Sequence, residues 1–195
     1  MAFLNPYLDF FRALPPSFRR DPLLPIPTVE LLSPDWLALK GAIARHFAWA
    51  VPNEEAIACV RRYTSEVIEI GAGSGYWAWL MHQAGVDVAA FDVQPPSFTW
   101  IEVRKGDERE VLNHGRKTLF LCWPPWATGM AANTLALYRS EYVIYVGEWM
   151  LGNADARFFG LLTAEFDAVD SVVIPQWYAR ADSLMVFRRR SSRTA

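Results

Sequence analysis

Seven residues, Glu69-Ile70-Gly71-Ala72-Gly73-Ser74-Gly75, end an apolar run and precede a helical pattern that opens at Tyr76. Glycine at alternate positions removes the Cβ atoms that would block a ligand lying across a strand-to-helix turn. A dinucleotide turn needs G-x-G-x-x-G, with the pyrophosphate on the helix N-terminus and a third glycine for close helix packing. Here Tyr76 stands in the third position. The spacing Gly71, Gly73, Gly75, with Glu69 two residues before the first glycine, instead suits a ligand carrying an ammonium group and no phosphate, because the carboxylate would face a cation. Taken alone, such a turn is also simply a tight turn in many α/β proteins.

Further candidates lie downstream. Asp92 closes the second apolar run, and Asp107 follows Gly106 after the third, so with Glu69 three successive strands each end on a carboxylate. In an open α/β sheet those ends form the ligand-binding rim. Asp107 also fits a plain N-cap for the helix that follows. The run Leu121-Cys122-Trp123-Pro124-Pro125-Trp126 ends the fourth strand. Its two prolines lack an N–H and fix the backbone, so the carbonyls of Trp123 and Pro124 are free to accept from a ligand, while Trp126 offers a flat face for stacking or for a cation. The same run also fits a rigid apolar loop sealing the sheet. Glu148, at the end of the fifth strand, is placed as a general base or as the partner of a cationic substrate, and otherwise as a solvated loop acid. His46 and Tyr7 read as packing residues.

Positioning these side chains requires alternating strands and helices. Short β-rich runs at 67–70, 86–91, 99–103, 118–122 and 142–146 alternate with helical patterns at 76–84, 108–112, 130–140 and 156–168. Two closing runs, 171–175 and 183–187, are joined too briefly for a crossover helix and therefore form an antiparallel pair. The pattern is an α/β sandwich around a mainly parallel sheet. Upstream, Pro6, Pro15, Pro16, Pro22, Pro25, Pro27 and Pro34 force an extended, wrapping path, which Phe3, Tyr7, Phe10, Phe11 and Phe18 pack on the body. Ser33-Pro34-Asp35 then opens a helix through Trp49, and Asn53-Glu54-Glu55 a second one to Tyr63. Residues 1–64 thus read as a wrapping segment with a helical cap, 65–190 as the ligand-binding domain and 191–195 as a tail, with the basic run from Arg188 onward taken as solubilising and frayed.

The 195 residues are 52% hydrophobic and 21% charged, which fills the core of one domain and excludes general disorder. A formal charge of −2 supplies no basic field for phosphate backbones, so nucleic acid is not indicated as a partner. Cys59 and Cys122 read as small buried hydrophobes, and three histidines without ligand spacing predict no metal site. No apolar run reaches the roughly 18 residues that span a bilayer. With no basic n-region or cleavage site in Met1 to Asp9, a cytoplasmic location is expected.

From Glu66 through Arg188 these motifs together resemble the class I S-adenosylmethionine (SAM) dependent methyltransferases. The resemblance implies SAM as cofactor and a seven-stranded sheet of order 3-2-1-4-5-7-6 with the last strand antiparallel. In that family the acidic-x-G-x-G-x-G turn holds the methionine part of SAM, which points to Glu69, Gly71, Gly73 and Gly75. An acid ending the second strand takes the two ribose hydroxyls, the place of Asp92, and an Asp after the third commonly takes the adenine amino group, the place of Asp107. Many amino-group methyltransferases carry Asp, Asn or Ser before Pro-Pro and an aromatic, with that side chain and the first proline carbonyl orienting the target nitrogen. Trp123 stands in the polar place, so the side-chain acceptor is missing. The acceptor-side residues implied are Trp123, Pro124, Trp126 and Glu148, and the implied activity is methyl transfer to a small or medium-sized acceptor. A non-catalytic protein that binds SAM or S-adenosylhomocysteine (SAH) is the alternative Trp123 favours. An NAD-dependent oxidoreductase is disfavoured by Tyr76 and by the reversed final pair. Val51 to Glu55, Gly75-Tyr76-Trp77-Ala78 and the Cys122 to Trp126 loop resemble, more narrowly, a group of small methyltransferase-like proteins with no assigned substrate.

Overall fold

The computed structural model describes residues 4–25 and 34–191. The expected cap at Ser33, Phe3 and Pro27 of the wrapping segment, and residues 192–195 of the tail lie outside the described residues. Seven strands form the central sheet: β1 (Glu66–Ile70), β2 (Asp87–Asp92), β3 (Val103–Lys105), β4 (Thr118–Cys122), β5 (Tyr142–Glu148), β6 (Phe166–Val173) and β7 (Asp182–Arg189). Their spatial order is β3-β2-β1-β4-β5-β7-β6. β1 to β5 are parallel, and β7 runs antiparallel between β5 and β6. This is the doubly covered, mainly parallel architecture expected from the alternating pattern.

Both faces of the sheet are buried, which is why its strands read as nearly continuous apolar runs. Val67, Phe120, Ile144 and Val146 face one cluster, and Ile68, Leu119, Leu121, Val143 and Tyr145 face the other. The first face is covered by α1 (Pro6–Ala13), α2 (Pro34–His46), α3 (Glu54–Tyr63) and α4 (Tyr76–Gln83), the second by α6 (Met130–Leu137) and α7 (Ala156–Glu165), with a short α5 (Glu110–Asn113) before β4. Side-chain caps start several of these helices: Asn5 Oδ1 accepts from Leu8 N–H, Asn53 Oδ1 from Ala56 N–H and Asp155 Oδ1 from Phe158 N–H.

The N-terminal segment is welded into the first cluster. Tyr7 is fully buried, stacks on Phe47 with centroids 4.7 Å apart, and its hydroxyl accepts from Trp177 Nε1 at 2.9 Å. Its N–H donates to the Tyr76 hydroxyl, which in turn donates to Asn5 Oδ1. Tyr76, in the place of a third glycine, thus anchors α1 to the start of α4.

Several boundaries depart from expectation. α2 stops at His46 because the carbonyls that follow are taken by side chains of the glycine-turn region: Ser74 Oγ donates to Phe47 O, Trp100 Nε1 to His46 O and Trp77 Nε1 to Ala50 O. The third strand is not 99–103 but Val103–Lys105, since Trp100 N–H donates to Ser74 O at 2.8 Å and draws that stretch onto the turn, out of the ladder. α7 ends at Glu165 and β6 begins immediately. Arg188 and Arg189 close β7 instead of fraying, and Arg188, Arg189 and Arg190 pair with Glu141, Glu165 and Asp167. A two-residue ribbon, Arg19–Arg20 against Gln176–Trp177, has no counterpart in the sequence pattern.

Candidate active site

At the carboxyl ends of β1, β2 and β4 lies a cavity of about 590 Å³, within the range of small-molecule sites. The glycine turn forms its floor. Gly71, Gly73 and Gly75 hold φ of 77°, 54° and 72°, the left-handed region that a side chain disfavours. A Cβ on Gly73 would project into open space, whereas one on Gly75 would meet Val103 Cγ2 at 2.7 Å and Ile101 Cγ2 at 3.0 Å. Gly71 and Gly73 therefore line the cavity, and Gly75 serves close packing beneath it.

Glu69 is the buried acid of β1 and lines the cavity with its Oε2 lacking any hydrogen-bond partner. Burial, and then the neighbouring Asp92 carboxylate, raise its carboxyl to about 8, against a backbone hydrogen bond from Ala78 that pulls it down. Asp92 also lines the cavity, but both its oxygens already serve the turn: Oδ2 accepts from Gly73 N–H and Oδ1 from Gln94 N–H, each at 2.9 Å. Its second lone pairs stay available to a ligand. Asp107 reaches the wall as well, yet its carboxylate is engaged by the Arg109 backbone N–H and guanidinium, both at 2.9 Å, which hold its pKa down. This is a local turn and not the N-cap the sequence also admits, because Arg109 stands at the N-cap of α5 and no side chain caps that helix.

The expected acceptor side is only partly where the sequence placed it. Trp123 lines the cavity. Pro124 is buried off the cavity wall, and its carbonyl oxygen accepts from Ala154 N–H at 2.8 Å. Trp126 is 67% exposed and lines a separate surface groove with Met150 and Leu151. Glu148 is buried, neither a solvated loop acid nor on the cavity wall: Oε1 accepts from Ala181 N–H at 3.0 Å and Oε2 sits 3.6 Å from Arg180 Nη1. His46 and Tyr7 are packing residues, His46 stacking on Phe98.

Sequence reasoning missed the wall contributed by α2 and its C-terminal turn, Ala44, Arg45, Phe47, Ala48 and Trp49. It also missed Lys40 and Asp182, both buried behind Trp123. Lys40 carried a legible signal: with Trp36, Ile43 and Phe47 it falls on the inward stripe of a helix at i, i+4, i+7 and i+11. Asp182 carried none, as its place depends on the reversed β7. Among the described residues, no group of His, Cys, Asp and Glu is arranged to hold a metal ion, and no helix is long and apolar enough to cross a membrane.

No family model matches the chain, and neither does any curated protein. Solved structures do. Magnesium protoporphyrin IX methyltransferase (ChlM) from Synechocystis PCC 6803, with bound SAM, superposes with a TM-score of 0.51 at 11% identity over 88% of this chain and 89% of that one. The N-methyltransferase NodS from Bradyrhizobium japonicum WM9, with SAH, gives 0.50 at 13% over 96% and 100%. The 1,6-didemethyltoxoflavin-N1-methyltransferase from Burkholderia thailandensis, with its substrate and SAH, gives 0.53 at 17% over 86% and 94%. At such identities the likeness shows the fold, a Rossmann-like methyltransferase sandwich.

Proposed function

We propose that this chain is a SAM-dependent methyltransferase acting on a small or medium-sized acceptor. The observation that carries the reading is Glu69: a buried carboxyl group with an unpartnered oxygen, at the head of a turn whose glycines leave room for a ligand. Retaining such a group uncompensated is costly, and an ammonium group satisfies it. The SAM and SAH bound in the structural neighbours support the same ligand here. In this reading Glu69 receives the ammonium, Gly71 and Gly73 the methionine part, Asp92 the ribose hydroxyls and the Asp107 region the adenine, while Trp123 walls the acceptor side. SAM supplies a methyl group on a sulfonium, open to in-line displacement. The protein's share is alignment and exclusion of water, which in well-oriented reactions is worth about 7–11 kcal/mol. The Cys122 to Trp126 loop names no substrate.

A second reading, a non-catalytic SAM or SAH binder, is favoured by the engaged Pro124 carbonyl and the buried, paired Glu148, which leave Trp123 without a polar helper. Calorimetry with SAM, SAH and NAD, followed by labelled methyl transfer over a metabolite extract, decides between them. Heat with SAH and labelled product supports the enzyme; heat without product in broad extracts supports the binder; heat with NAD alone defeats both.

A further inference from the structure

A chain of contacts leads from the cavity wall into the protein through Trp123. Its indole Nε1 donates to Asp182 Oδ1 at 2.6 Å, its ring stacks on Trp49 with centroids 5.8 Å apart, and its own N–H donates to Val146 O at 2.8 Å. The Lys40 ammonium lies 5.1 Å from the ring centroid and the Arg180 guanidinium 5.5 Å. Lys40 Nζ also sits 5.7 Å from the rings of Trp36 and Trp49. Lys40 and Asp182 are buried at 3% and 0% exposure, and neither Lys40 Nζ nor Asp182 Oδ2 has a hydrogen-bond partner.

Topology explains how these groups meet. β7 is antiparallel, so its first residue, Asp182, lies opposite Glu148 on the rim where the parallel strands end. A crossover strand would have delivered its last residue there instead. Trp123 itself holds φ of 50°, a left-handed backbone that a tryptophan keeps only where its surroundings over-determine it. Those surroundings are the Asp182 acceptor, the stacked Trp49 and two cations on the ring.

We propose that Asp182 and Lys40 are positioning residues that clamp the Trp123 indole in place as the acceptor-side wall of the cavity. The indole N–H is spent on Asp182, so what Trp123 presents to an acceptor is ring surface, and the site takes a planar, apolar group against it. Naming that wall the acceptor side rests on the methyltransferase reading; the clamp does not.

The test is a full-length chain carrying ¹⁵N in its tryptophan indoles. The chain has nine tryptophans, and the signal lost in Trp123→Phe identifies the one of interest. The expected Trp123 signal lies downfield and exchanges slowly with solvent. In Asp182→Asn it shifts but stays protected, because the amide oxygen still accepts. In Asp182→Ala exchange accelerates about ten- to a hundredfold, the range for a lost hydrogen bond to a charged group. Lys40→Met moves the same signal as the cation leaves the ring. The charged and titratable groups facing Asp182 are Lys40 on α2, Glu148 and Tyr145 on β5, Cys122 on β4, Tyr7 on α1 and Arg180. Since burial raises the Asp182 carboxyl, the wild-type signal follows pH in a step that Asp182→Asn abolishes. A Trp123 signal unmoved by Asp182→Asn and Lys40→Met, with its pH response intact, overturns the clamp; should Asp182→Ala fail to fold, the asparagine variant decides alone. SAH calorimetry on the same samples keeps the two readings apart. Absence of SAH binding by the wild type counts against the methyltransferase and leaves the clamp to the indole signal, while SAH affinity kept within about twofold in Asp182→Asn, with the signal moved, places the clamp outside the cofactor half.

Discussion

Glu69 makes cofactor binding a proton-linked event. With its carboxyl raised to about 8 by burial and by Asp92, it carries about 0.9 of a proton at pH 7 in the free protein. An ammonium group against it favours the ionised form, so the complex holds fewer protons than its parts. Affinity must therefore rise with pH, tenfold per unit as long as the free carboxyl is protonated and the bound one is not. From pH 6 to 7.5 that is about twentyfold, or ~1.8 kcal/mol, because the free carboxyl is already about a quarter ionised at the upper end. Above roughly 7.7–8.0 the ligand's own α-amino group loses its proton and the trend reverses, which confines the measurement to the lower window. The assay is SAH calorimetry at pH 7 in two buffers of different ionisation enthalpy, which reads the released protons directly. The expected net release is about 0.7–0.8 for the wild type, after the ligand's α-amino group takes back about 0.1–0.2, and only that small uptake for Glu69→Gln, which binds more weakly and without the rise in affinity with pH. A wild-type affinity that does not change across the window, or equal release by the variant, would refute the assignment of Glu69 to an ammonium.

Asp92→Ala should weaken SAH binding and also destabilise the free protein by about 1–3 kcal/mol in urea unfolding, because the Gly73 and Gln94 N–H groups lose their acceptor; an apo protein of unchanged stability would show that these bonds contribute nothing. Gly75→Ala should cost more than Gly71→Ala. Both force about 1–3 kcal/mol of left-handed strain, but the new methyl meets the branched Val103 and Ile101 at Gly75 and only the flexible end of Met130 at Gly71. Equal unfolding midpoints for the two would contradict the packing role given to Gly75. Trp126→Ala should leave SAH affinity and labelled methyl transfer unchanged, since the side chain lies on the outer surface; a drop in either would return it to the site.

The cofactor half of the site was legible because it is local. Glu69 to Gly75 lie in one unbroken stretch, and the parallel order that brings Asp92 and Asp107 beside it follows from short strands alternating with helices. The acceptor half was not, because it is assembled from residues far apart in the chain. Whether the Pro124 carbonyl is free depends on Ala154, 30 positions on, and the fate of Glu148 depends on Arg180 and Ala181. The shift of the third strand has the same origin: 99–103 reads as β-rich, yet Trp100 finds its partners in Ser74, His46 and Phe47. A tertiary indole contact outweighs a local preference there.

The buried Lys40 and Asp182 decide how this half of the molecule responds to pH. Burial lowers the lysine and raises the carboxyl, while each counteracts the other's shift. A carboxyl raised in the folded state adds stability below the ordinary carboxylate range and loses it as pH climbs through the folded value. Removing the cation in Lys40→Met raises Asp182 further, so the variant should lose stability more steeply than the wild type between pH 6 and 8. One fully protonated carboxyl over two pH units sets the ceiling at ~2.7 kcal/mol, and the wild type already shows part of that slope. The extra loss should be about 1–2 kcal/mol, read as a widening gap in urea midpoints. Adding Asp182→Asn to Lys40→Met keeps an acceptor for the Trp123 indole while removing the titrating group, and should abolish the extra loss, leaving only the slope that Glu69, raised to about 8, imposes on every variant. A gap that stays constant from pH 6 to 8 would mean that Lys40 acts on this site by packing alone, through the indoles of Trp36, Trp49 and Trp123, and that its charge is not sensed by Asp182.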